Sequence, residues 1–200
     1  MCSTCDSVCP NRAILTYYVQ PQKFSIPQWR LEDGELVPGT DSIFHVIQGP
    51  QVAVLTDACN DCGNCVTFCP TADRPWRDKP RLYLHRGDFD AEADNAFMFI
   101  NLNGARALHA RFGGELHQLI EEAGVLRYTS PVVGISLNAE TLAVLESDLR
   151  TDRADGDLID PDHLGAMITL HRSFASSMPE FPLVEADTAW SIDRSPDQPR

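Results

Sequence analysis

Cys59-Asn60-Asp61-Cys62-Gly63-Asn64-Cys65-Val66-Thr67-Phe68-Cys69-Pro70 is the stretch on which the reading of this chain turns. It spaces its thiols as C-x2-C-x2-C-x3-C and follows the last with proline, the spacing that holds [4Fe–4S] clusters. Three thiolates two residues apart must converge on three iron corners of one cube, so the loop curls and aims its backbone N–H groups at the sulfurs. Gly63 supplies the backbone freedom such a curl needs. The fourth cysteine lies one turn further on, too far round to close the same cube, and in two-cluster proteins it ligates the other one. Pro70 stops the local helix and sets the direction of that thiolate.

A second run, Cys2-Ser3-Thr4-Cys5-Asp6-Ser7-Val8-Cys9-Pro10, is the same motif without its first cysteine. The crossover rule then gives cluster II the ligands Cys9, Cys59, Cys62 and Cys65. Cluster I receives Cys2, Cys5 and Cys69 and lacks one ligand. The missing thiol is expected a few residues before Met1, which reads the chain as an N-terminally truncated, C-terminal piece of something longer. The competing reading is a structural zinc-binding interaction module built on two C-x2-C pairs. It leaves Cys9, Cys65 and Cys69, and both C-P endings, without a purpose. An odd count of 7 cysteines crowded into two runs is also a poor disulfide framework.

Composition narrows the rest. The chain has 200 residues, 43% of them hydrophobic, which suffices for a core without disulfides. Its net charge of −13 argues against nucleic acid as a partner. No apolar run is long enough to span a membrane, and no signal-peptide core opens the chain, so it is expected in the cytoplasm. No G-x-G-x-x-G occurs, so no flavin or NAD site is expected in this chain. The 6 histidines show no ligand spacing, and His109 and His117 read as hairpin surface residues.

Three pieces follow the motifs. Residues 1–85 read as a two-cluster 4Fe-4S ferredoxin-like domain whose halves are related by a pseudo-two-fold. β-branched and aromatic runs at Ile14–Val19, Phe44–Ile47 and Gln51–Leu55, with Asp33-Gly34 as a turn, insert a hairpin between the cysteine runs. Residues 71–90 form a polar connector with 5 cations (Arg74, Arg77, Lys79, Arg81, Arg86), read as a solvated loop or as a docking patch for an acidic electron-transfer partner. Trp76 reads as a packing residue over a cluster. Residues 86–182 form a β-rich extension with a C-terminal helix. Its strands are expected at Ala96–Leu102, Ala105–Phe112, Glu115–Ile120, Val125–Tyr128, Pro131–Leu137 and Leu142–Leu145, and Gly113-Gly114 as a turn. The stretch Glu115–Ile120 also fits a helix. Asp160-Pro161 is expected as N-cap and first residue of a helix reaching about Met178. Residues 183–200 read as a tail. From residue 91 onward 18 acids face 8 bases, a docking appendage for another subunit or a solubilising β domain. The fold class is therefore α+β.

The residues Cys5-Asp-Ser-Val-Cys9-Pro-Asn-Arg-Ala13, the run Cys59 to Pro70, Pro75-Trp-Arg-Asp-Lys79 and Asp88-Phe89 resemble the C-terminal iron–sulfur part of the YgfK type of proposed selenate reductase subunit. These are flavin- and iron–sulfur-dependent pyridine-nucleotide oxidoreductases. The resemblance covers about residues 1–90, although Tyr17 to Val52 is longer than in that family. It implies further cysteines before Cys2, an upstream flavin domain in the same polypeptide or another oxidoreductase subunit, and one-electron traffic between that flavin and a downstream acceptor. The chain itself would be an electron-transfer fragment, not a complete enzyme.

Overall fold

The computed structural model describes residues 4–33, 35–150, 158–159 and 161–186. In order, the chain forms α1 (Thr4–Val8), β1 (Ile14–Tyr18), β2 (Gln22–Glu32), β3 (Glu35–Val46) and β4 (Pro50–Leu55). Then come α2 (Asn64–Thr67), α3 (Pro75–Asp78), β5 (Arg81–Leu82), α4 (Arg86–Ala91) and β6 (Ala96–Leu102). The meander β7 (Ala105–Phe112), β8 (Glu115–Glu122), β9 (Val125–Thr129), β10 (Val133–Asn138) and β11 (Val144–Leu149) follows. Last are β12 (Leu158–Ile159), α5 (Asp162–Ser177) and β13 (Val184–Glu185).

The hairpin between the cysteine runs is long. β2 pairs antiparallel with β3 from Gln22↔Val46 to Glu32↔Glu35, with a register shift between Pro27 and Trp29. Asp33 sits at its tip with φ 52°. β12 adds to the outer side of β2, pairing Ile159 with Trp29.

The principal sheet has 10 strands, in the order β1-β4-β5-β6-β7-β8-β9-β10-β11 with β13 beside β6. Three of its turns have two residues, both with positive φ: Asn103-Gly104 (54° and 90°), Gly113-Gly114 (58° and 85°) and Ala123-Gly124 (50° and 79°). This is the turn geometry whose twist matches that of the flanking strands. It fixes Glu115–Glu122 as strand, not helix.

β6 opens Ala-Phe-Met-Phe-Ile, and these five residues are buried because both sheet faces are covered. On one face Phe97 and Phe99 meet α5, whose Leu164, Met167, Ile168, Leu170 and Phe174 lie in the same core as Tyr17, Ile26 and Trp29. On the other, Met98 and Ile100 pack with Tyr83 and Phe89 of the α4 region. The sheet thus runs straight through position 85, and residues on both sides of that position share one core.

Several sequence expectations change here. His109 and His117 are buried, at 0% and 5% exposure. Each finds a partner inside: His109 Nε2 lies 3.0 Å from Gln118 Nε2, and His117 Nδ1 2.6 Å from the Tyr128 hydroxyl. The stretch 71–90 is not a plain loop, because it contains α3, β5 and α4. The last strand of the meander begins at Val144, later than Leu142. In α5 the N-cap is Pro161, and Asp160 lies outside the described residues. Of the tail, Val184 pairs parallel with Ile100, and residues 187–200 lie outside the described residues.

Candidate iron–sulfur centre

Both cysteine runs hang from one edge of the sheet. α1 leads into β1, and the second run leaves β4, which pairs antiparallel with β1 from Ile14↔Val54 to Tyr18↔Pro50. The Asp6 carboxylate accepts a 2.8 Å hydrogen bond from the Thr16 hydroxyl, tying α1 to β1. The two C-P turns repeat each other in detail. Arg12 N–H donates to the Cys9 carbonyl (3.2 Å), and Ala72 N–H to the Cys69 carbonyl (3.2 Å). Arg12 and Ala72 both take positive φ, 52° and 57°. Gly63 is left-handed at φ 77° and caps α2, its carbonyl accepting from Val66 and Thr67 N–H, each at 3.0 Å.

Cys5 and Cys65 are buried with Ile14 and Val54, and the partly buried Cys9, Cys59 and Trp76 pack against them. Trp76 thus packs against the hydrophobic cluster that contains Cys5 and Cys65. Cys5 and Cys69, one from each run, line a single cavity of about 260 Å³ with Gln48, Gln51 and Val52. Cys62 is exposed, and the six described cysteines are all free thiols. Cys2 lies outside the described residues. Among the described residues no three Cys, His, Asp or Glu side chains converge closely enough for a single metal ion.

The local electrostatics differ from thiol to thiol. Ala13 N–H donates to Cys9 Sγ at 3.2 Å, the kind of amide-to-sulfur bond that offsets thiolate charge. The Cys69 Sγ lies 3.3 Å from the Thr71 hydroxyl, which also reaches Asp73 at 2.7 Å. That hydroxyl has one proton, and given to Cys69 it holds the thiol below its usual range. Burial pushes the Cys59 thiol up, and the Asp61 carboxylate 3.4 Å from its sulfur adds to this. Beside Cys59 a cavity of about 310 Å³ is rimmed by Asp57, Asp61, Asp88 and Glu92. The connector's cations are largely spent within the fold. Arg81 forks onto Glu92 (2.6 and 3.0 Å), Arg74 meets Asp78 (3.2 Å) and Arg86 meets Asp90 (3.1 Å). Ala13, Thr71 and Asp61 escaped the sequence reading. Only their positions after C-P, or between two cysteines, could have pointed to them.

The donor set fits iron–sulfur chemistry: soft thiolates in the C-x2-C-x2-C-x3-C-P spacing, an N–H···S bond, and a half-apolar cavity shared by cysteines from both runs. Residues 1–72 match the family described as "4Fe-4S dicluster domain". Two curated proteins, each named "Putative oxidoreductase YgfK", from Escherichia coli strain K12 and Escherichia coli O157:H7, are 31% identical to this chain over 98 residues. The aligned region is 49% of this chain and 7% of either relative, so the chain spans only a small part of their length. No solved structure matches. The matched domain and this similarity bear out the resemblance to the YgfK type and support an iron–sulfur electron-transfer role of the oxidoreductase kind.

Proposed function

We propose that this chain carries two [4Fe–4S] clusters within a larger oxidoreductase and relays single electrons between a flavin domain elsewhere in that assembly and a further acceptor. The observation that carries the reading is the doubled C-P motif, with cysteines of both runs gathered on one sheet edge. Residues 1–85 act as a two-cluster ferredoxin-like module with a hairpin insertion, on a β-rich extension that shares its core. Cluster II takes Cys9, Cys59, Cys62 and Cys65. Cluster I takes Cys2, Cys5 and Cys69 with a fourth ligand that is not among the seven cysteines. The cavity shared by Cys5 and Cys69 supports this crossover.

When bound, the clusters supply reversible one-electron chemistry. The chain's own residues hold the thiolates, donate the Ala13 N–H to Cys9, and shield the inner sulfurs with Ile14, Val54 and Trp76. Burial and N–H···S bonding together set the potential. Free thiols suit a reducing compartment such as the cytoplasm.

Anaerobic purification tests the reading. Brown protein with broad absorbance near about 400 nm and about four irons per cluster is the expected outcome. Colourless protein with stoichiometric zinc would establish the structural zinc module instead.

A further inference from the structure

A further cavity lies next to the one beside the thiols. A space of about 540 Å³ opens between β1, the end of β3, β4 and α5, with Tyr17, Phe44, Phe97 and Leu170 in its walls. No Asp, Glu, Lys or Arg lines it. A phosphate-bearing ligand such as a nucleotide or a flavin mononucleotide would find only the His45 imidazole to pair with its charge. A neutral molecule needs no such partner. Its polar lining residues are Tyr17, His45, Gln48, Gln51 and Thr169, of which the two glutamine amides and the Tyr17 hydroxyl can donate to a carbonyl. Burial pushes the Tyr17 phenol up to about 12, so it keeps its proton at any physiological pH.

Position supplies the second observation. Gln48 and Gln51 line this cavity and also line the Cys5/Cys69 cavity. Lys79 belongs to the thiol cavity, and its neighbour Pro80 to the larger one. A ring seated in the larger space would therefore be parted from cluster I by a shared wall of side chains. The volume suits a small two-ring molecule, and aromatic walls suit a planar one.

We propose that this cavity binds a neutral quinone, which exchanges electrons with the cluster held by Cys5 and Cys69. The inference rests on the iron–sulfur reading for its redox half only. Cluster I supplies one electron at a time and is re-reduced from cluster II between the two steps; two electrons and two protons from solvent then convert the quinone to its hydroquinone. Both quinone carbonyl oxygens become hydroxyls, and no other bond is broken. The cluster returns to its oxidised state, ready for electrons from the flavin side.

The probe is 2-methyl-1,4-naphthoquinone, titrated into the full chain under anaerobic conditions and followed by equilibrium dialysis. Saturable binding is expected. Ala166 lines the cavity from an exposed position on α5, so Ala166→Trp fills the space without entering the core. That variant should bind at least about tenfold more weakly while keeping iron content, visible spectrum and melting temperature. Reoxidation of the reduced protein by stoichiometric quinone should slow in parallel. Absence of saturable binding, or unchanged affinity in Ala166→Trp, would overturn the proposal. So would equal affinity for 2-methylnaphthalene, which lacks the carbonyls. Cys69→Ser should lose iron yet keep the affinity. Protein that contains zinc and no iron but still binds the quinone would sink the iron–sulfur reading and leave the cavity assignment standing.

Discussion

Gly165 of α5 lies directly under the ring of Phe44 on β3, so close that a Cβ at this position would run into the ring edge. Phe44 in turn stacks on Phe24 of β2, with centroids 5.2 Å apart. This contact joins Ile26 and Trp29 in pinning the hairpin between the cysteine runs to the body of the protein. Gly165→Ala should cost about 1–2 kcal/mol, since the ring's far end can swing partly aside. In a Phe44→Ala background the same substitution should cost close to nothing. Equilibrium denaturation of the four proteins of this double-mutant cycle measures the difference. Additive costs would show that the two residues do not press on each other.

Cluster-specific substitutions test the crossover ligation. Cys62→Ser should abolish one EPR signal of the reduced protein, and Cys5→Ser the other. Cys9→Ser, although in the first run, should remove the signal lost in Cys62→Ser. Cys69→Ser, although in the second run, should remove the one lost in Cys5→Ser. If Cys9→Ser and Cys5→Ser lose the same signal, each run binds its own cluster.

Acid should loosen the extension before it reaches most carboxylates. Burial drives His109 and His117 down to about 4. An unfolded chain protonates the same rings near about 6.5. Between those values the unfolded state binds more protons than the folded one, so stability falls as pH falls through this window and is fully present above it. Each ring contributes on the order of 2 kcal/mol. Thermal melts from pH 7.5 to pH 4.5 should show the decline, and Gln, which cannot titrate, at both positions should flatten it. A wild-type melting temperature that is level over the range would refute the assignment.

At the turn between β8 and β9, Ala123 is held at φ 50°, where a Cβ is unfavourable. Ala123→Gly should therefore stabilise the protein, by about 0.5–1 kcal/mol. Gly104→Ala, at φ 90° in the corresponding turn between β6 and β7, should destabilise it by about 1 kcal/mol or more. Urea midpoints for the pair should move in opposite directions.

How much of this was legible in the sequence depends on whether a signal is local. The cysteine runs could be read because ligand spacing along the chain is itself the message. Gly113-Gly114 was equally plain, and Asn103-Gly104 carries the same hairpin signal between Leu102 and Ala105. The turn at Ala123 was not legible, because only its glycine follows the rule. His109 and His117 were misplaced for a different reason. Strand alternation identifies two faces but not which is covered, and here α5 covers one and the α4 region the other, so polar rings ended up inside. Arg81 and Leu82 gave no strand signal either. Two residues suffice there only because β4 and β6 already flank them.

Distant parts of the chain are joined by Leu158 with Arg30 in the three-stranded sheet, by Val184 with Ile100 in the principal sheet, and by the ring of Tyr17 with that of Phe174, 4.9 Å between centroids. On a ribosome, all seven thiols emerge before any of α5 exists to cover the strand that carries them. Long-range closure of this kind is slow. Until α5 docks, the cysteine loops are therefore more open to cluster donors and to oxidants than in the finished fold.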